Sequence, residues 1–156
     1  MEIRPVTLDD LEVLIDLYLD TAIHHATIDP DWFHVPGRVD IAARLRGRID
    51  ERGATSEYVT AIIDGRMVGS ASIHVGDAPH PGAMMRPIQT AEFGVSVLDG
   101  YRGQGIGRAL IGHLEAWAAG HGVERVVLSV AEAIRPYHAL GYREYDRAMR
   151  KDVSTG

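Results

Sequence analysis

Apolar and polar positions along the chain follow two periodicities, and their order predicts the secondary structure. Helical spacing of apolar residues predicts four helices, over residues 8–24, 38–52, 105–121 and 133–140. Short segments rich in apolar and β-branched residues predict six strands, over residues 2–6, 58–63, 67–73, 91–97, 125–130 and 142–149. The resulting order, β-α-α-β-β-β-α-β-α-β, predicts a mixed sheet with helices on both faces.

The breaks between these elements differ in kind. Asp64-Gly65 separates two predicted strands, and this dipeptide favours the type I′ turn of a β-hairpin. Segments 24–36 and 76–90 lack periodicity and are expected to be irregular. Because long irregular segments in compact domains are usually functional or mobile, we expect both of them to border a binding site.

Aromatic, histidine and acidic residues crowd the first irregular segment. We predict that four of them line a pocket and contact a substrate: His24, His25, Trp32 and Phe33. A metal site is the alternative, since His34, Asp29 and Asp31 are also present, but no two histidines have the i, i+4 spacing of a helical metal pair. The pocket wall is therefore favoured, and no metal ligand is predicted.

Composition excludes several classes of function. The 156-residue chain is long enough for one domain, and its lack of cysteine excludes disulfides, thiolate zinc sites and a cysteine nucleophile. A formal net charge of −6 argues against a nucleic-acid partner, and the arginines of segment 38–52 are interpreted as a solvated face. With no apolar leader or membrane-length run, we expect a cytoplasmic protein and no membrane partner.

Segment 95–108 combines the end of a strand, a glycine-rich turn and the start of a helix. The first backbone N–H groups of a helix have no partner within it, and the helix dipole favours negative charge there. Glycines at 103, 105 and 107 keep Cβ atoms away from an anion, and Arg102 and Arg108 can add charge-assisted hydrogen bonds. The segment therefore predicts an anion site, with a purely structural glycine turn as the alternative.

Two known phosphate-binding patterns do not fit this turn, which lacks both the Gly-Lys-Ser/Thr end of a P-loop and the G-x-G-x-x-G spacing. The coenzyme A loop of the GNAT acetyltransferases, Arg/Gln-x-x-Gly-x-Gly/Ala, resembles it at every fixed position, in the run Arg102-Gly103-Gln104-Gly105-Ile106-Gly107. A second segment of that family, Tyr-x-x-x-Gly-Phe/Tyr, is similar to Tyr137-His138-Ala139-Leu140-Gly141-Tyr142. One departure is Val130, where many relatives carry a cofactor-contacting asparagine.

The resemblance implies an α/β (α+β) domain over residues 1–156, with a mixed, mostly antiparallel central sheet of six to seven strands and helices on both faces. It also implies acetyl-CoA as co-substrate, with the pantetheine arm along the strand end and the pyrophosphate on the glycine turn. The implied cofactor-binding residues are Val95, Ser96, Val97, Arg102, Gly103, Gln104, Gly105, Ile106, Gly107 and Arg108.

The implied reaction transfers the acetyl group directly to an amine, without an acyl-enzyme. The N–H of Val97 would stabilise the oxyanion, and Tyr137 would protonate the departing thiolate, with a packing role as the alternative for Tyr137. Strand alternation places Glu92 on a polar face with Gly94. Glu92 is therefore the candidate base, and a solvated ion pair with Arg86 is the alternative.

The sequence thus predicts an acetyl-CoA-dependent N-acetyltransferase acting on a small-molecule, N-terminal or lysine amine. Two other classes stay open, a catalytically silent acyl-CoA-binding regulator and a module for a different nucleotide. The oligomeric state is also open, with a homodimer as the candidate assembly.

Overall fold

The computed structural model describes residues 1–131 and 134–153. Within them lie five strands, β1 (Glu2–Pro5), β2 (Ser56–Ile63), β3 (Arg66–Val75), β4 (Thr90–Val97) and β5 (Arg125–Val127). The helices described there are α1 (Leu11–Ile28), α2 (Arg38–Asp50), α3 (Ile106–Gly120) and α4 (Arg135–His138), and a 3-10 turn (Leu8–Asp10) precedes α1. The strands form one sheet in the order β1-β2-β3-β4-β5, antiparallel except for the parallel pair β4–β5. The predicted mixed, mostly antiparallel fold is confirmed, with five strands instead of six to seven.

Each face of the sheet buries its own core. On one face, α3 packs against the sheet through residues that include Ile106, Leu110 and Leu114. On the other face, α1 and α2 pack through residues that include Leu14 and Ile41. Side chains alternate across a strand, so β4 directs its residues 93, 95 and 97 towards α3 and its residues 92, 94 and 96 towards α1 and α2.

The hairpin between β2 and β3 has the predicted turn. Asp64 and Gly65 have φ of 49° and 73°, and positive φ at both central residues defines type I′. This turn matches the twist of β2 and β3, which it joins as neighbours in the sheet.

The start of α1 is held by a charged cluster. Arg4 donates two hydrogen bonds of 2.8 Å to the carboxylate of Asp10, which also accepts the N–H of Thr7 at 2.8 Å. The Arg4 guanidinium and the Thr7 amide stabilise the ionised carboxylate and lower the pKa of Asp10. The cluster fixes α1 against β1, and α1 forms one wall of the site described below.

Several predicted elements differ from the structure; the strand predicted over 125–130, for example, ends at Val127. Helix α1 continues to Ile28, because the first residue that disfavours helix, Pro30, comes only after it. The predicted last strand, 142–149, is wrong: Tyr142 packs against the core, but Tyr145 and Met149 are 73% and 96% exposed, so the segment lacks the alternating buried face of a strand. Helix α4 is shorter than predicted, and residue 133, where the prediction begins it, lies outside the described residues.

Candidate active site

The sheet opens between β4 and β5. Their parallel pairing ends at Glu92 and Val127, although β4 continues to Val97. On its other edge, β4 pairs with β3 from Ala91 to Val97 without a register shift, so no bulge exchanges the faces of its residues. The second part of β4 therefore presents an open edge beside the chain that follows β5.

This open edge carries backbone groups that no neighbouring described strand pairs. The N–H of Leu98 donates to the carbonyl oxygen of Val68 on β3 at 2.9 Å. Hydrogen-bonded and non-hydrogen-bonded pairs alternate along an antiparallel ladder, so the N–H and C=O groups of Val95 and Val97 point away from β3 and into the gap. An extended ligand chain could bond to them as an added strand does.

A glycine-rich turn connects this edge to α3. Gly100, Gly103 and Gly105 have φ of 81°, 76° and 83°, a conformation that favours glycine. The N–H of Ala109 bonds to the oxygen of Gly105 at 3.0 Å as the first helical bond, so the amides ahead of Ala109 have no partner within α3. The start of α3 therefore offers backbone donors and the positive end of the helix dipole to an anion.

A cavity of about 680 Å³, the first cavity, joins the gap, the turn and α1. Seven predicted cofactor-binding residues line it: Val95, Ser96, Val97, Arg102, Gly103, Gly107 and Arg108. The other three lie beside it, Ile106 in the core at 2% exposure and Gln104 and Gly105 exposed in the turn. The structure thus gathers most of this set around one space, and the binding role of each residue stays a prediction.

Two arginines place positive charge at the turn. Nε of Arg102 donates to the carbonyl oxygen of Val97 at 3.2 Å, and its Nη2 lies 3.6 Å from a carboxylate oxygen of Asp20 on α1. Arg108 is exposed in the first turn of α3. The side chains of Arg102 and Asp20 are 51% and 48% exposed, so this ion pair is weak in water and another anion can compete for Arg102.

Tyr137 of α4 borders the first cavity. Its ring contacts those of Phe93 and Tyr142, with centroids 6.4 and 6.1 Å away. Burial raises the pKa of Tyr137, and no described residue hydrogen-bonds its hydroxyl. Pro136 lies in the first turn of α4, where a missing N–H costs no helical bond. The phenol is therefore protonated at neutral pH and available as a donor.

Glu92 borders a second cavity of about 780 Å³, which lies between α2 and the strands β2 to β4. Its side chain is exposed and forms no ion pair with Arg86 or any other described residue. Gly94 borders both cavities, and a Cβ built on it would meet nothing within 4 Å. The two predicted catalytic residues, Glu92 and Tyr137, therefore line different cavities that meet at Gly94.

The four predicted substrate-binding residues do not lie together. His24 and His25 belong to α1 and border the first cavity. Phe33 contacts the His25 ring edge-on, with centroids 5.0 Å apart, and borders neither cavity. Trp32 also borders neither; it is 65% exposed, with the Arg150 guanidinium 5.3 Å above its ring. The irregular segment 76–89 lines neither of these cavities.

The sequence interpretation missed the polar residues of the second cavity. Arg48 is half-buried and borders both cavities, so its assignment to a solvated face is wrong. Helical spacing could have found it, because Arg48 follows the buried residues Ile41 and Leu45 on the same stripe of α2. Strand alternation could likewise have placed Ser72 and His74 of β3 on the face of Glu92, with which His74 is paired.

No three histidine, aspartate or glutamate side chains in the described ranges are arranged to hold a metal ion, so the histidines and aspartates of segment 24–36 form no such cluster. None of the helices in residues 1–131 and 134–153 combines the length and apolar character that crossing a membrane requires.

Comparison with known proteins gives a consistent result. The sequence profile of the Acetyltransferase (GNAT) family matches residues 15–142. A glucosamine 6-phosphate N-acetyltransferase from Trypanosoma brucei brucei is 38% identical over 90 residues, which are 57% of this chain and 59% of that protein. This chain therefore aligns with less than two thirds of that relative.

Solved structures share the fold. A variant of the BH1408 protein from Bacillus halodurans superposes with a TM-score of 0.87 at 22% identity, over 99% of this chain and 100% of that one. A predicted acetyltransferase from Clostridium acetobutylicum, solved with acetyl-CoA, superposes with a TM-score of 0.75 at 15% identity, over 97% of this chain and 95% of that one. At these identities the likeness concerns the fold alone.

Proposed function

Because this chain belongs to the acetyltransferase (GNAT) family, we propose that it transfers an acetyl group from acetyl-CoA directly to a primary amine. The observation that carries the proposal is the gap between β4 and β5, which ends at the glycine turn and the start of α3. An extended arm followed by a pyrophosphate fits this succession of an open strand edge and an anion site. The named activity of the Trypanosoma brucei brucei relative is of the same kind.

The residues present fit acetyl-CoA. The backbone groups of Val95 and Val97 hold the pantetheine arm, and the amides of residues 103–108 hold the pyrophosphate with Arg102 and Arg108 beside it. Gly103 and Gly105 present no Cβ on the path of the phosphates, since a Cβ built on either would point into open space. This succession of backbone donors and open space supports a cofactor that is extended at one end and anionic at the other.

The reaction requires three contributions from the protein: stabilisation of the oxyanion, protonation of the departing sulfur and removal of a proton from the amine. Acetyl-CoA supplies a thioester, whose carbonyl carbon is attacked by the amine nitrogen as the C–S bond breaks. The N–H of Val97, which points into the gap, donates to the oxyanion. Tyr137 gives its phenolic proton to the departing sulfur and afterwards regains one from solvent.

Glu92 removes the proton that the attacking amine must lose. It lines the second cavity, and its path to the reaction centre passes Gly94, whose missing side chain leaves room for a bridging water. Because Glu92 forms no ion pair with a described residue, its carboxylate is available to act as the base.

The proposal is tested by two measurements on the purified protein. We expect acetyl-CoA to raise the Tm by mass action, and we expect free thiol to appear only when a primary amine is added. A Tm rise without thiol release from any amine would instead support a silent acyl-CoA-binding regulator. A rise with ATP and none with acetyl-CoA would support a different nucleotide-binding module.

Glu92→Gln is expected to depress kcat/KM most near neutral pH. The loss should shrink as rising pH deprotonates the free amine, whose reference pKa is about 10.4 for a lysine-like group. Glu144→Gln removes the same charge from an exposed residue outside both cavities and should leave the profile unchanged. A Glu92→Gln enzyme with the wild-type pH profile of kcat/KM would remove the base role.

A further inference from the structure

The second cavity is lined by a cation that forms no ion pair with any described residue, although the carboxylates of Glu51, Glu57 and Glu92 also line it. Arg48 of α2 is half-buried, and its one hydrogen bond to a described residue runs from Nη1 to Oγ of Ser72 at 3.2 Å. No carboxylate in the described part of the chain pairs with it. A guanidinium has five N–H donors, so most of those of Arg48 are uncommitted. Since a partly dehydrated charge is costly without a partner, such a residue favours an anionic ligand.

A second arginine strengthens this positive site. Arg44 precedes Arg48 by one helical turn, borders the same cavity and also has no ion pair among the described residues. Like charges at i, i+4 repel each other on an isolated helix. An anion between the two guanidinium groups would convert this repulsion into attraction.

Two other arginines, one at each end of α2, are already neutralised, and Arg46 is exposed and borders neither cavity. Arg38 pairs with Glu12 and Asp16 on α1, at 3.0 and 2.6 Å. Arg52 pairs with Glu57 at 2.9 Å, and this occupies one carboxylate that borders the second cavity.

The positive site communicates with the proposed reaction centre. Arg48, Ser72 and Gly94 border both cavities, so a small molecule held at Arg48 lies on the path to the open edge of β4. The carboxylate of Glu92 borders the same cavity and could attract an amine. A molecule with an amine and an anionic group at separate positions matches this distribution of charge.

We infer that the acceptor is an amine that also carries a phosphate or carboxylate, and that Arg48, assisted by Arg44, binds this oxyanion. The inference rests on the proposed acetyl transfer and adds the class of acceptor. It makes Arg48 a specificity-determining residue for the acceptor, on α2 and outside the glycine turn.

The experiment compares matched pairs of amines with the wild-type protein and Arg48→Gln. The pairs are glucosamine 6-phosphate with glucosamine, aminoalkyl phosphates with amino alcohols, and ω-amino acids with alkylamines of the same length. We expect Arg48→Gln to lower kcat/KM for the anionic member about tenfold to a hundredfold, mainly through KM, because hydrogen bonds to charged groups are of that strength. The neutral member should be unaffected. The pair that responds distinguishes phosphate from carboxylate.

Arg46→Gln is the matched control, since Arg46 is exposed on the same helix and borders neither cavity; it should behave as wild type. Equal losses for anionic and neutral amines, or no loss for either, would overturn the inference and leave the acetyl transfer intact. If no amine is acetylated, the proposal of acetyl transfer is refuted, and the inference about Arg48 is then tested by ligand binding instead of by activity. An anionic amine that raises the Tm of wild type but not of Arg48→Gln supports it, and equal or absent shifts overturn it.

Discussion

Gly105→Val is expected to abolish the rise in Tm that acetyl-CoA gives the wild-type protein. Gly105 has φ of 83° immediately before α3, a conformation that a β-branched residue avoids. The position faces open space, so the valine side chain would project where the phosphates approach the backbone. At a ligand concentration of about 100 times Kd the wild type gains about 2.7 kcal/mol in free energy of unfolding, and this gain should disappear.

Gly122→Val separates loss of binding from loss of stability. Gly122 has φ of 74° just beyond the other end of α3, and a Cβ built there also meets nothing within 4 Å. Both variants should therefore lose stability of the order of 1–2 kcal/mol from the left-handed backbone. Only Gly105→Val should lose the response to acetyl-CoA. An undiminished acetyl-CoA shift in folded Gly105→Val would refute the assignment of the phosphate site.

The parts of the site that the sequence predicts well are those determined by local rules. The alternation of β4, the turn glycines and the apolar stripe of α3 lie within one continuous segment, and each follows from a direct conformational preference. The hairpin turn at Asp64 and Gly65 belongs to the same class. For this reason the amino-acid pattern alone predicts the β4–turn–α3 unit correctly.

The parts that the sequence does not predict depend on what a segment packs against. Segment 142–149 has enough β-forming residues to suggest a strand, but beyond Tyr142, which packs against Phe93, its residues are exposed and bury no strand face. Helical spacing places Arg48 on the buried stripe of α2, but its hydrogen bond to Ser72 and its lack of a carboxylate partner among the described residues depend on the position of β3 beside α2. The second cavity lies between segments that are distant in the sequence, so local sequence patterns cannot predict its shape.

Tyr137→Phe is expected to lower kcat by roughly 10²-fold or more, the scale of general acid catalysis, with little change in the affinity for acetyl-CoA. Phenylalanine retains the ring contacts with Phe93 and Tyr142 and removes only the hydroxyl. Because burial raises the pKa of Tyr137 above its ordinary value of about 10, the wild-type hydroxyl stays protonated throughout the neutral range. The defect should therefore appear as a lower kcat across that range and not as a displaced pH profile.

Tyr142→Phe supplies the matched control in the same aromatic cluster. Its hydroxyl donates to a carboxylate oxygen of Glu115 at 2.6 Å and does not border the first cavity. Burial, together with this carboxylate, raises the pKa of Tyr142 as well, so the two tyrosines differ in position and not in protonation. Loss of the hydrogen bond should cost about 1 kcal/mol of stability and leave kcat near wild type. If both variants retain kcat, or both lose it equally, the hydroxyl of Tyr137 packs within the aromatic cluster and protonates no sulfur; a loss confined to Tyr137→Phe assigns the proton to it.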